Sequence, residues 1–291
     1  MANISDPYLI RYPEIVGIAA EDGRTIELIE TFDCVGGAMW AMHHYKKSPL
    51  VQGARIVGNT SRYLLDAGTT RLALEGSHFP AGIEDAAVEG DAIRIAYRGM
   101  GGGGVGASAC RSLAKGVARC TADPSGGGRE AGATVWLPRR SRVLIGIDDT
   151  DTPEEGATWT LAHNIARAIA DDTTRYLSHT IVQLFPVPFR TKNCVAIVCE
   201  FASTDPAATA DAFQALLERY TLSDETGMAV YAGFDPSALL PFGRSVKKGQ
   251  VSPADVDRVR PLVDVRINGR GITGAIAALP FYTRYDEALS L

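Results

Sequence analysis

The sequence predicts an α+β fold: two related α/β-sandwich halves with the split β-α-β character of ferredoxin-like domains. Three observations carry this. Apolar runs of strand length alternate with helix-length amphipathic stretches through the second half. A Gly-rich segment from Ser125 to Gly132, followed by Leu137-Pro138-Arg139-Arg140-Ser141-Arg142, divides the chain near its middle. Short stretches of the first half also recur in the second.

In the first half, residues 1–137, Ile15-Val16-Gly17-Ile18 reads as a strand that leads to a hairpin turn at Asp22-Gly23. A helix starts at Gly37-Ala38-Met39-Trp40, and the Gly-rich turn Gly103-Gly104-Val105-Gly106-Ala107 opens a helix of small residues. In the second half, residues 138–291, the order is strand (143–147), helix (155–171), strand (181–185), strand (194–201), helix (206–220) and strand (227–232). Helical material near 252–260, a strand at 263–267 and a short helix after Gly271 complete it. Thr152-Pro153-Glu154-Glu155 reads as a capping box with Pro in the first turn, and its two glutamates complement the positive end of the helix dipole. Gly37 to His44 aligns with Gly156 to His163 at one offset, and Ile15 to Ile18 echoes Leu144 to Ile147, which is the pattern of a degenerate duplication. The first copy has Ala19, Ala20, Glu21 and Asp22 where the second has its aspartates, so the first is expected to have lost the chemistry.

The chain has 291 residues, 46% of them hydrophobic, and a formal net charge of -5. That is enough for one large or two medium cores, and no apolar run is long enough to span a bilayer. No signal-peptide pattern opens the chain, so the expectation is a cytoplasmic protein without membrane attachment. The five cysteines, Cys34, Cys110, Cys120, Cys194 and Cys199, are scattered and never form C-x-x-C, which argues against a disulfide framework or zinc ribbon and predicts reduced, mostly core thiols. The mild acidity disfavours nucleic acid as a partner, although a local basic groove around Arg190, Lys192, Arg244, Lys247 and Lys248 keeps that option open.

The candidate chemistry centres on Val143-Leu144-Ile145-Gly146-Ile147-Asp148-Asp149-Thr150-Asp151, where an interior strand ends in three carboxylates within four positions. Such crowding is costly unless a cation sits among them, and the carboxyl end of a strand in an open sheet is where ligands bind. Strand alternation would put Asp149 and Asp151 on one side and Asp148 on the other. Hard oxygen ligands on a short turn suit magnesium bridging to phosphate, and the following helix start favours an anion. Asp148, Asp149 and Asp151 are therefore the candidate metal and catalytic residues. Gly269-Arg270-Gly271-Ile272-Thr273-Gly274 follows a strand and opens a helix, so Gly269, Gly271 and Gly274 could let backbone approach phosphates while Arg270 chelates oxygens. Neither this loop nor Gly101-x-Gly103-x-x-Gly106 sits in a Rossmann or Walker A context; the polyglycine run reads equally as a mobile connection. Arg190, Thr191, Lys192 and Asn193, in the loop that begins at Phe189, would suit a triphosphate or an RNA backbone, or form a solvated basic hairpin. His163 reads as a satisfied structural histidine; His43, His44, His78 and His179 lack metal-ligand spacing, and no Ser or Cys nucleophile arrangement is evident.

Gly146-Ile147-Asp148-Asp149-Thr150-Asp151, Arg190-Thr191-Lys192-Asn193 and Gly269 to Ala275 resemble, in order and spacing, the ATP-using kinase-like and ferredoxin-like portions of the archaeal agmatinylcytidine synthetase that modifies an isoleucine tRNA. The resemblance covers the second half and implies Mg-ATP roles for the three aspartates. The chain stops where the synthetase would continue into an OB-fold and a zinc ribbon, so the resemblance implies the nucleotide site but not tRNA or agmatine. Over its whole length, including Asp33 to Trp40 and the polyglycine loop, the chain is similar to the methanogenesis marker protein 11 family of methanogenic archaea.

The expected function is an Mg-ATP-dependent phosphoryl-transfer or ligase-like enzyme, a transferase acting on an unidentified acceptor, with ATP and Mg as cofactors. Arg190, Lys192 and Arg270 would neutralise phosphate charge. Two alternatives stand beside it: a non-catalytic nucleotide-binding assembly factor with a protein partner in methanogenesis, and an RNA-binding or tRNA-modifying protein.

Overall fold

The structure is a computed structural model that describes residues 3–188 and 190–291. Its chain is α+β, as the sequence predicts, and divides into two compact units, Met1–Arg140 and Ser141–Leu291.

The first unit runs β1 (Glu14–Ala19), β2 (Thr25–Thr31), α1 (Val35–Tyr45), β3 (Val51–Val57), β4 (Thr60–Asp66), β5 (Gly68–Thr69), β6 (Ala81–Glu89), β7 (Ala92–Met100), α2 (Gly102–Val105), β8 (Arg119–Ala122) and β9 (Glu130–Pro138). One antiparallel sheet has the order β1-β2-β4-β3 and the other β5-β6-β7-β9-β8. The expected turn at Asp22-Gly23 joins β1 to β2: Gly23 takes φ +69, which a side chain would resist, and the Asp22 carboxylate accepts the Arg24 N–H at 2.9 Å. A single apolar cluster draws on both sheets and on α1, with Leu28, Tyr45, Ile83, Ile95 and Val135 among its fully buried members. Inside it, Arg111 donates to both carboxylate oxygens of Glu30 at 2.8 Å, with the guanidinium 4.0 Å from the Tyr45 ring centroid. The polyglycine run is not a mobile loop. It forms α2 and a following π-helical turn (Gly106–Cys110), packed so closely on its neighbours that a Cβ at Gly103 would lie 2.6 Å from the Pro80 carbonyl oxygen.

The second unit runs β10 (Ser141–Asp148), α3 (Thr158–Ala168), β11 (Thr174–Gln183), β12 (Val195–Ser203), α4 (Pro206–Tyr220), β13 (Gly227–Ala232), α5 (Leu240–Lys248), α6 (Pro253–Val259), β14 (Asp264–Asn268), α7 (Ile272–Ala278) and α8 (Tyr285–Leu289). The antiparallel order β11-β12-β10-β13-β14 contains the split β-α-β-β-α-β arrangement with one extra edge strand. The first unit does not share that element order, since β1 turns straight back into β2 before any helix; the short echoes between the halves therefore sit on different topologies.

Alternation along β10 sorts its residues onto two faces. Val143, Ile145 and Ile147 pack under α3 and α4 with Ile165, Phe213 and Leu217. Leu144 faces the opposite layer, where Ile276, Leu279 and Phe281 cover the sheet. Gly146 lies on that second face, and α7 rests directly on it: a Cβ there would fall 2.0 Å from the Ala275 carbonyl oxygen. Both faces of the sheet are thus covered, which is why its central strand reads as an uninterrupted apolar run.

The helix expected from residue 155 begins later, at Thr158. Thr152 and Glu155 do bond to each other, the Glu155 N–H reaching the Thr152 hydroxyl at 3.0 Å, but Gly156 then takes φ +85 and separates this turn from α3. Glu154 and Glu155 therefore do not sit in the first turn of that helix.

Candidate functional site

Asp148 is the last residue of β10 and continues the face of Leu144 and Gly146, toward α7. Its side chain fits there because Gly274 has no side chain: a Cβ on Gly274 would stand 1.9 Å from Asp148 Oδ2. Asp148 Oδ1 accepts the Asp149 backbone N–H at 2.8 Å. Burial, and then the neighbouring Asp149 carboxylate, push the Asp148 carboxyl well above the usual carboxylate range.

Asp149 takes φ +54, a left-handed conformation that non-glycine residues adopt at a cost of about 1 kcal/mol or more. That turn ends the strand alternation, so the expected sorting of Asp149 with Asp151 against Asp148 does not occur. Asp149 Oδ2 lies 3.7 Å from Arg270 Nε. Burial raises its carboxyl, an effect that Arg270 opposes.

Asp151 goes elsewhere. Its two carboxylate oxygens accept from the Thr191 hydroxyl and Lys192 Nζ, each at 3.3 Å, and Lys192 Nζ also donates to the Gly156 carbonyl at 2.8 Å. Asp151, Thr191 and Lys192 thus tie the basic loop to the acidic turn. Among the described residues no group of three or more His, Cys, Asp or Glu side chains is placed to hold a metal ion. Of the three expected metal ligands, Asp151 is paired with the internal cation Lys192, while Asp148 and Asp149 share a cleft.

That cleft brings Asp148, Asp149, Arg190, Asn193, Arg270 and Gly274 to one lining. Its remaining walls include the apolar side chains of Leu184, Val187, Val246 and Val251. Arg190 is exposed and donates to the Val187 carbonyl at 3.0 Å, while Phe189 lies outside the described residues. The structure does not bear out Gly269 and Gly271 as a phosphate cradle. Their N–H groups donate at 2.9 Å to the carbonyls of Thr226 and Glu225, and the Arg270 N–H donates at 3.0 Å to the Glu225 carboxylate. These glycines serve close packing instead: a Cβ would lie 2.3 Å from the Glu225 carbonyl carbon at Gly269 and 2.6 Å from the Asp148 carbonyl oxygen at Gly271. Residues missed in the sequence are Cys194, Thr273 and Gln250, which also line the cleft. Thr273 lies within the Gly269 to Gly274 motif but carried no role there, and no motif marks Cys194 or Gln250, which arrive from the residue before β12 and from the segment after α5 only once the sheet is assembled.

His163 is structurally satisfied, with Nδ1 3.0 Å from the Tyr176 hydroxyl, which is itself 2.9 Å from His179 Nδ1. All five cysteines are free, but only Cys110 and Cys199 are buried, fewer than a mostly core placement implies. Among the described residues no helix is long and apolar enough to cross a membrane.

In comparison with known proteins, residues 144–209 match the model of the TiaS TCKD domain family. Solved structures give partial overlap. The crystal structure of TiaS in complex with its tRNA and ATP aligns with a TM-score of 0.44 and 22% identity over 48% of this chain and 36% of that one. The complex of TiaS with tRNA, AMPCPP and agmatine gives 0.41 and 21% over 48% and 36%. This chain thus spans about a third of the length of those relatives. The expectation that nucleic acid is a disfavoured partner is corrected here: the matched domain is that of a protein solved in complex with tRNA, and a net charge of -5 spread over the whole chain does not set the preference of one site. The uncharacterized protein MJ0921 of Methanocaldococcus jannaschii is 38% identical over 293 residues, 97% of each chain, and the present chain belongs to the same family as that protein.

Proposed function

We propose that the protein is an ATP-dependent enzyme that modifies a nucleic acid, with tRNA as the acceptor class, and that the cleft at the end of β10 takes the nucleotide. The observation that supports this most directly is the meeting of two carboxylates, Asp148 and Asp149, with two guanidiniums, Arg190 and Arg270, in a single cleft at the domain-matched strand end. Guanidiniums pair with phosphate oxygens in a bidentate fork. The apolar walls at Leu184, Val246 and Val251 suit a base. Of the readings the sequence left open, the tRNA-modifying one has this support beyond phosphoryl transfer to an unspecified acceptor; the setting in methanogenesis rests on the whole-chain resemblance alone.

Asp148 and Asp149 are the residues that would hold magnesium. Two adjacent half-buried carboxylates, both held above their ordinary range, fit a cation that uses one or two carboxylates and keeps several waters. When bound, the ion would offset the charge of the polyphosphate. Arg270 in the loop before α7 and Arg190 in the basic loop would pair with phosphate oxygens, and Asn193 would add a neutral donor. Thr191, Lys192 and Asp151 act by fixing the loop against the turn.

The test is calorimetry of the full chain with ATP and magnesium, followed by incubation with labelled ATP and a tRNA pool. Magnesium-dependent ATP binding that disappears in Asp149→Asn and Arg270→Ala, with label or mass added to RNA, is the expected result. A chain whose melting temperature does not respond to ATP would refute the reading.

A further inference from the structure

The segment between α4 and β13 touches both charged sides of the cleft, and we infer that Glu225 and Thr226 are positioning residues that set the spacing of Asp149 and Arg270. The inference rests on the cleft being the nucleotide site. Thr226 is buried, and its hydroxyl reaches the Asp149 carbonyl at 3.2 Å, on the residue that carries the left-handed backbone. Glu225 holds the other side: its carboxylate accepts the Arg270 N–H at 3.0 Å and its carbonyl accepts the Gly271 N–H at 2.9 Å. Adjacent residues of one short segment therefore grip the acid turn and the basic loop.

The proton inventory shows which way the grip works. Thr226 Oγ1 and Thr221 Oγ1 lie 2.5 Å apart, so one hydroxyl proton is shared between them and one remains for a carbonyl. Thr221 has only the longer contacts to the Thr150 carbonyl at 3.3 Å, which also accepts the Leu222 N–H at 2.9 Å, and to the Ser223 carbonyl at 3.4 Å. Thr226 reaches the Ser223 carbonyl at 2.9 Å and the Asp149 carbonyl at 3.2 Å, both closer than any carbonyl open to Thr221, so with Thr221 donating to Thr226 the remaining proton is shared between these two and links the Ser223 turn to Asp149. A left-handed Asp gains local support there, which offsets the cost of its backbone.

Glycine packing makes the other side rigid. At Gly269 a Cβ would collide with the Glu225 backbone, so the Arg270 loop is seated on this segment and cannot shift independently of it. The Asp149–Arg270 contact of 3.7 Å is thus set from a third element that does not itself line the cleft.

The experiment compares Thr226→Val, which keeps the shape and removes the hydroxyl, with Thr226→Ser, which restores it. Loss of one supporting hydrogen bond should weaken ATP-magnesium binding about five- to tenfold in Thr226→Val and leave Thr226→Ser within about twofold of wild type. Glu225→Ala should weaken binding more than Glu225→Gln, which keeps an acceptor for the Arg270 N–H. If Thr226→Val binds like wild type while Asp149→Asn does not, the inference is overturned and the site stands. If Asp149→Asn also binds like wild type, the nucleotide reading falls and the crystal structure of Thr226→Val decides the positioning role. Asp149 moved out of the left-handed region or away from Arg270 would uphold it, and an unchanged Asp149 would overturn it.

Discussion

Replacing Gly274 with Ala tests the packing that admits Asp148 to the cleft. The added Cβ would lie 1.9 Å from Asp148 Oδ2 and 3.1 Å from Leu184 Cδ1. To reach an ordinary contact near 3.4 Å, the carboxylate must retreat by about 1.5 Å, and Leu184 blocks part of the space. A move of that size breaks the 2.8 Å bond from the Asp149 N–H. Overpacking contributes about 2 kcal/mol of destabilisation and the broken bond about 1.5 kcal/mol, while better helix propensity returns about 1 kcal/mol. The net loss is about 2.5 kcal/mol, a fall of roughly 5–10 °C in melting temperature for a unit of this size. Calorimetry should also show ATP-magnesium affinity reduced at least about tenfold, because a displaced Asp148 no longer shares the cleft with Asp149. Gly249→Ala is the control: this glycine also lines the cleft, takes an ordinary extended backbone (φ -179) and has open space where a Cβ would go. A Gly274→Ala protein that melts and binds like wild type would refute the argument that glycine makes room for the acid.

Gly146→Ala should destabilise the second unit by about 3 kcal/mol in urea titration, because the clash is with the Ala275 backbone at 2.0 Å and only displacement of α7 relieves it. In the first unit, Arg111→Met leaves the fully buried Glu30 without its cation and should cost about 3–5 kcal/mol, whereas Arg111→Met with Glu30→Gln should cost less than the sum of the two single changes. Burial and the neighbouring His163 hold His179 below the ordinary imidazole value of 6.5. The unfolded chain then binds more protons than the folded one below that value, so this histidine contributes stability at neutral pH that is lost as the solution is acidified. The stability difference between wild type and His179→Gln, from denaturation at about pH 7.5 and about pH 5.5, should shift against wild type at the lower pH; no change between the two would contradict it.

The α+β class, the β-hairpin at Asp22-Gly23 and the split β-α-β order of the second unit were legible because each depends on local periodicity and turn chemistry. Asp148 and Asp149 stood out for the same reason, as polar residues that end an apolar strand. Arg190, Asn193, Arg270 and Gly274 were found as motif letters, but their reasons differ: Gly274 makes room for a carboxylate, and Gly269 and Gly271 pack against backbone with their N–H groups already used. A glycine that approaches phosphate and a glycine that approaches another strand look identical in one dimension.

What the sequence by itself determined is the set of elements and the position of an acidic strand end, since both follow from side-chain period and charge over a few neighbouring residues. Only the tertiary structure decided which acids and cations share a cleft. Asp151 and Lys192 neutralise each other, 41 residues apart, while Asp149 turns through a left-handed residue toward Arg270. Those choices depend on distances between segments remote in the chain, where the cost of burying an unpaired charge selects one partner among several, and no local pattern encodes that selection.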